Sequence, residues 1–206
     1  MKTILVTAFE PFGGSEHNSS LDTLRSLPDE IDGVRIQKAE IPVEYVRSGE
    51  VLAGIVKEIP EDELCAILCL GQAEGRASIT PEYIAVNVRN ASIPDNAGQL
   101  CRYEPIDPEG DAGIFATIPV VKIAERLNAK NIPASVSFTA GAYVCNSLMY
   151  AALSSANPNK VPAGFIHLPL SAEIAKVEGK TAASLAQSVL TKGIVEAISE
   201  VIGKKE

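Results

Sequence analysis

The sequence predicts an α/β protein: a single domain built around a mostly parallel, twisted sheet. Three observations carry that expectation. Apolar runs of strand length alternate with runs of helical spacing along the whole chain. The strand candidates are apolar on both faces, as strands covered by helices on each side must be. The chain has 206 residues, which suits one domain over residues 1–206 better than two small ones.

Lys2 to Phe9 is the first expected strand, rich in aliphatic and β-branched residues. A polar, Gly-containing loop runs from Glu10 to Asn18, and Asn18 to Ser20 offers caps for a short helix through Leu27. Val34 to Val43 alternates well enough for a second strand. Tyr45 to Ile59 has a helical stripe of Val46, Val51, Leu52, Ile55 and Val56, stopped by Pro60. Leu64 to Leu70 is a buried strand ended by Gly71. Ala77 to Asn87 is expected to be extended, with Pro81 interrupting it.

Residues Arg89 to Gly113 are rich in Pro, Gly, Asn and Asp and predict a long irregular segment of the kind that often binds ligands. A helix over Val120 to Leu127, a strand over Ala134 to Thr139 and a helix over Cys145 to Ser155 follow. Ala163 to Leu168 is a short strand ended by Pro169, and Thr181 to Ile202 a long closing helix. Sites in such folds form beyond the carboxyl ends of the strands. Loops 9–18, 71–76, 140–146 and 167–171 all fall there.

Composition removes several function classes. The chain carries 26 acidic and 18 basic residues, a net charge of −8. Binding a polyanion needs a clustered basic excess, so nucleic acid is excluded as the main partner, and an anionic membrane surface is disfavoured. No apolar stretch approaches the ~18 residues of a membrane span. The run Ile4-Leu5-Val6 is too short for a signal-peptide core, so a cytoplasmic location with reduced thiols is expected.

The cysteines are Cys65, Cys69, Cys101 and Cys145, and the histidines His17 and His167. No C-x-x-C pair occurs, and no metal or organic cofactor is implied. Cys65 and Cys69 read as core thiols whose even spacing puts them on one strand face. Cys101, in a polar loop, is the thiol expected to react adventitiously.

Cys145 stands apart. It follows the small-residue turn Ala140-Gly141-Ala142, where a strand gives way to a helix. A helix N-terminus favours thiolate and presents free N–H groups to a developing oxyanion. A thiol nucleophile needs a base. His167 closes the apolar strand Gly164-Phe165-Ile166-His167, whereas His17 lies in a polar loop. A third group would orient the imidazole, and spacing alone does not choose among Glu82, Glu74 and Asp95. Gly13-Gly14 is similar to a phosphate loop, yet G-x-G-x-x-G and G-x-x-x-x-G-K are absent. Phe9 and Phe12 could form an apolar wall for a small ligand.

Several blocks together resemble one family. They are Thr7-Ala8-Phe9-Glu10-Pro11-Phe12-Gly13-Gly14, Gly71-Gln72 with Gly75-Arg76, and Glu82 with Ile84-Ala85-Val86-Asn87. Ile93-Pro94-Asp95-Asn96, Ala140-Gly141 with Cys145-Asn146, and Gly164-Phe165-Ile166-His167 continue the series. In order and spacing they resemble the pyroglutamyl peptidase I family of cysteine peptidases across nearly the whole chain.

The resemblance implies an α/β/α sandwich, usually a cytoplasmic homotetramer, that removes N-terminal pyroglutamate from peptides. It implies Cys145 as nucleophile, His167 as base and Glu82 as orienting acid, acting through a thioacyl-enzyme. It also implies a lactam pocket made by Phe9 and Phe12, with polar contacts from near Gln72 and from Asn18. Two positions depart from the family pattern. Ser92 stands where many members carry an Arg linked to the oxyanion site, with Arg89 nearby, and Ser19 stands where Pro commonly follows the Asn. A nucleoside-phosphorylase-like enzyme, prompted by Gly13-Gly14, and a silent relative acting as an interaction subunit, prompted by Ser92, are the alternatives.

Overall fold

Strand β1 (Thr3–Phe9) is buried along its whole length. In this computed structural model, which describes residues 1–156 and 161–203, it lies at the centre of the sheet. Helix α1 (Ser19–Ser26) follows, then β2 (Glu30–Ile31), β3 (Val34–Ile41) and α2 (Arg47–Glu58). Next come β4 (Leu64–Gln72), β5 (Thr80–Pro81), β6 (Ile84–Val86) and β7 (Gly113–Phe115). The second half holds α3 (Val120–Ala129), α4 (Val144–Ala156), β8 (Ala163–Leu168) and β9 (Leu170–Ser171). It ends with α5 (Ala172–Val177), β10 (Ser184–Leu185) and α6 (Gln187–Val201).

β1 pairs in parallel with β3 on one side and β4 on the other, and β4 pairs in parallel with β8. Short antiparallel strands close both edges, giving the order β2-β3-β1-β4-β8-β5. The sheet is thus mixed, with a parallel centre, as expected. Helices α1, α3 and α6 cover one face through Leu21, Leu24, Ile123, Leu127, Leu190 and Ile194. Helices α2 and α4 cover the other through Leu52, Leu148, Met149 and Leu153. The result is an α/β/α sandwich with a separate apolar core on each face.

Alternation along the strands decides which residues reach which core. Ile4, Val6, Ala8, Leu68, Leu70, Ile166 and Leu168 join the first. Leu5, Phe9, Ile67, Cys69 and Phe165 join the second. Phe9, Gly71 and His167 share the parity of this second set. They stand at the carboxyl ends of three neighbouring strands, beneath α4.

Several expectations need correction. The β1–β4 register slips, Thr3 pairing with Leu64 but Ile4 with Ala66. The extra residue is Cys65, which packs on the first core while Cys69 packs in the second. A bulge inserts one residue and inverts the alternation, so the two thiols do not share a face. Cys101 is fully buried, and burial pushes its thiol upward, so it is not an open reactive group.

The expected strand over Ala134 to Thr139 forms only isolated bridges beside residues 79 and 82. Its backbone still bonds that edge, Ser137 N–H donating to Pro81 O at 2.9 Å and Tyr83 N–H to Ser137 O at 2.7 Å. The extended stretch over Ala77 to Asn87 splits between sheets, β5 joining the main one and β6 pairing with β7. The closing helix starts at Gln187, because Ser184 and Leu185 pair with β9 instead. Helix α5, capped by Ser171 Oγ, had no predicted counterpart.

Ile67 has no exposed surface, in the middle of β4. Ile67→Ala is expected to lower the unfolding free energy by about 2–5 kcal/mol. Urea denaturation checks this, and a loss below about 1 kcal/mol at an unchanged m-value would contradict close packing there.

Candidate active site

The edge strand β5 runs antiparallel to β8, with Thr80 opposite His167 and Pro81 opposite Ile166. One residue on, Glu82 N–H donates to Phe165 O at 2.9 Å. Glu82 and His167 are therefore diagonal neighbours on one face, close enough for their side chains to meet. Glu82 Oε1 lies 2.7 Å from His167 Nδ1. Glu82 has 0% of its surface exposed and His167 4%. The other candidate acids lie elsewhere. Asp95 accepts backbone N–H bonds from Tyr45, Ala97 and Gln99, and exposed Glu74 pairs with Lys180.

A cation completes this pair. Arg76, in the loop after β4, sets Nη1 2.6 Å from Glu82 Oε1. The same nitrogen bonds Thr80 Oγ1, and Nη2 donates to Thr139 O at 3.2 Å. Nothing among the described residues partners Glu82 Oε2. Arg76 and the imidazole thus give this buried carboxylate a cation and hydrogen bonds in place of water.

Cys145 enters from the opposite layer. Helix α4 begins at Val144, after a turn in which Gly141 has φ +79°. Thr139 Oγ1 accepts the Gly141 N–H at 3.0 Å. Asn146 fastens the helix start to β6, accepting from Val86 N–H at 2.9 Å and donating to Val86 O at 2.8 Å. The thiol then rests over Gly71, the register partner of His167. A Cβ on Gly71 would stand 2.7 Å from Phe165 Cζ, forcing that ring to shift, and 3.3 Å from Cys145 Sγ, crowding the thiol.

Burial governs the protonation of both groups. The Cys145 thiol is pushed up to about 12, by desolvation first and by the Glu82 charge next, with Arg76 opposing. The helix N-terminus alone would favour thiolate, but the dry surroundings and the nearby carboxylate outweigh it. His167 is lowered, again mainly by burial, with its bond to Glu82 opposing. Both shifts favour the uncharged forms, thiol and imidazole.

Phe9, Phe12, Val43, Gln72, Tyr143, Val144 and Cys145 line a narrow, nearly closed cleft with about 10 Å³ of free space, room for one water molecule. Phe12 and Tyr143 face each other at 6.5 Å between ring centres. Four predicted site residues, Phe9, Phe12, Gln72 and Cys145, thus meet in one cleft. Asn18 does not line it. Its Oδ1 caps α1 by accepting from Ser20 N–H at 3.0 Å, and its Nδ2 donates to Glu10 O at 3.0 Å. Ser19 N–H donates to Gln72 Oε1 at 2.8 Å, a bond that the proline common in the family could not make.

Ser92 is exposed. Arg89 sends its charge toward Tyr45 and Cys101, whereas the cation bearing on Cys145 is Arg76. Arg76 and Tyr143 were missed as functional candidates. The signal for Arg76 was a cation in a Gly-containing loop at a strand's carboxyl end; Tyr143 had none beyond its place before Cys145. Among the described residues no group of three or more His, Cys, Asp or Glu could hold a metal ion, and no helix is long and apolar enough to cross a membrane.

The fold and this cluster define an α/β/α protein with a thiol, an imidazole and a buried carboxylate gathered at its parallel strand ends. Comparison with known proteins gives the family. The family model for pyroglutamyl peptidase matches residues 2–204. Pyrrolidone-carboxylate peptidase 2 of Caldanaerobacter subterraneus subsp. tengcongensis is 48% identical over 81% of this chain and 80% of its own. The pyrrolidone-carboxylate peptidase of Thermococcus kodakarensis is 43% identical over 96% and 95%. The crystal structure of Bacillus amyloliquefaciens pyroglutamyl peptidase I superposes with a TM-score of 0.90 at 34% identity, covering 99% of this chain and 98% of that one. This chain belongs to the pyroglutamyl peptidase family.

Gly71→Ala is expected to displace Phe165 or Cys145 and to cost about 1–3 kcal/mol, the usual penalty of overpacking. Thermal unfolding reads the cost, and the alkylation rate at Cys145 reads the displacement. A variant matching its parent in both would show that the thiol does not depend on this gap.

Proposed function

We propose that this protein removes N-terminal pyroglutamyl residues from peptides, with Cys145 as nucleophile, His167 as general base and acid, and Glu82 as the group that orients the imidazole. One observation carries the reading. In a member of the pyroglutamyl peptidase family, a fully buried Glu82 Oε1 sits 2.7 Å from His167 Nδ1, with the Cys145 thiol over the neighbouring Gly71.

The bond to Glu82 holds the proton on His167 Nδ1 and leaves Nε2 free to accept one. The lactam ring enters this cleft as its walls part, since the free space is only about 10 Å³. Phe9, Phe12, Val43 and Tyr143 suit a flat, neutral ring, and Gln72 is the polar group among them. An uncyclised N-terminal glutamine would carry an ammonium into this apolar slot without a partner, which is costly.

Cys145 Sγ attacks the pyroglutamyl carbonyl carbon while its proton passes to His167 Nε2. The free N–H groups at the start of α4 stabilise the oxyanion, and no acidic residue in the first turn opposes them. The C–N bond breaks as His167 returns the proton to the leaving amine. A thioester to Cys145 remains. Water, deprotonated by His167, attacks it and releases pyroglutamate and the free thiol. At each proton transfer the charge on Glu82 stabilises the imidazolium.

The protein is expected to hydrolyse a pyroglutamyl-coupled fluorogenic amide and to leave the matching glutaminyl amide intact. Iodoacetamide mapped to Cys145, or Cys145→Ser, should abolish turnover. A folded and fully active Cys145→Ser variant would remove the nucleophile assignment. The pH profile follows from the direction of the His167 shift. Its folded pKa lies below the ordinary 6.5, so the imidazole stays neutral as pH falls past that value. The acid limb of kcat/KM is expected below 6.5, since the base is lost only as pH falls through the lowered pKa. Folding stability weakens over the same interval, because the unfolded chain takes up the proton first. An acid limb above 6.5 would contradict a buried, desolvated base.

A further inference from the structure

Arg76 touches neither the cleft nor the thiol, yet every segment of the cluster passes through it. Its Nη1 lies 2.6 Å from Glu82 Oε1, the same oxygen that meets His167 Nδ1 at 2.7 Å. Nη1 also bonds Thr80 Oγ1, and that hydroxyl lies 3.4 Å from the backbone carbonyl of His167. Nη2 donates at 3.2 Å to Thr139 O, the last carbonyl before the turn that leads into α4 and Cys145. These contacts use the fork of a guanidinium, whose donors are fixed in one plane.

We propose that Arg76 is a positioning residue for the peptidase reaction, a fork that ties the Glu82–His167 pair to the segment carrying Cys145. The role rests on the peptidase reading and deepens it. Two tasks follow from the geometry. Arg76 supplies the counter-charge for a carboxylate with no exposed surface and an unpartnered Oε2. It also fixes the distance across which the thiol and imidazole exchange a proton, because Thr139 O and Glu82 Oε1 are held by neighbouring nitrogens of one rigid group. Around the thiol, Glu82 and Cys69 oppose ionisation and Arg76 favours it. Arg76 is partly exposed, with 27% of its side chain open to solvent, so small solutes can reach the place it fills.

Three variants separate the tasks. Arg76→Gln removes charge and fork, Arg76→Lys keeps the charge without the fork, and Arg76→Ala opens the site to added guanidinium. Both Arg76→Gln and Arg76→Lys are expected to lower kcat on a pyroglutamyl amide by about tenfold to a hundredfold, with KM within about twofold of the parent. Guanidinium ion at non-denaturing concentration should restore part of the activity of Arg76→Ala, an effect that a merely structural contact would not produce. Iodoacetamide should modify Cys145 more slowly in Arg76→Gln and at the parental rate in Arg76→Lys.

Parental kcat in Arg76→Lys would overturn the fork. So would a loss of kcat that tracks a collapse in melting temperature and that guanidinium does not relieve. If the parent itself fails to cleave the amide, the peptidase reading falls. The alkylation series then still decides the link between Arg76 and the thiol, which equal rates in all variants would overturn.

Discussion

A single buried oxygen, Glu82 Oε1, holds the site together. It accepts from Arg76 and from His167, in a place where its carboxylate has no exposed surface at all. An isolated buried charge there would be costly, and the two partners offset that cost. The pairing of β5 with β8, which brings Glu82 alongside His167, therefore serves electrostatics as much as sheet formation. The extended segment 133–137 covers the far side of β5, so this functional edge is also shielded from pairing with another chain.

The second constraint is geometric. Strands in the parallel centre run the same way, so their carboxyl ends converge, and alternation sends Phe9, Gly71 and His167 to the face that α4 covers. Helix α4 packs on that same layer and delivers Cys145 at its first turn. Glycine at position 71 is the term that reconciles the two layers. A side chain there would overlap the Phe165 ring and crowd the thiol.

Much of this was legible in the sequence, and the limits have physical causes. The expected Ala163 to Leu168 strand is β8, and α4 begins one residue before its expected start, because long apolar runs and a glycine turn are local signals. Cys145 and His167 stood out for the same local reasons. Glu82 did not, since nothing in its neighbourhood separates it from Glu74 or Asp95; only antiparallel pairing with a strand some 85 residues later does. Arg76 stands in a recognisable motif but shows no role there, because its side-chain partners lie in two other segments, at 80–82 and at 139. The Cys65 bulge was invisible because one extra residue leaves composition unchanged while reversing the face. Cys101 misled in the opposite sense. Its polar neighbours suggested an open loop, but Asp95 and Asn87 brace that segment with backbone bonds and close it over the thiol.

The upward push that burial gives the Cys145 thiol has a consequence for its redox chemistry. Peroxides and other oxidants attack thiolates, so a thiol whose pKa burial raises is oxidised more slowly than one that a helix N-terminus alone would ionise. Desolvation, usually counted as an obstacle to thiol reactivity, here acts against oxidation of the same sulfur.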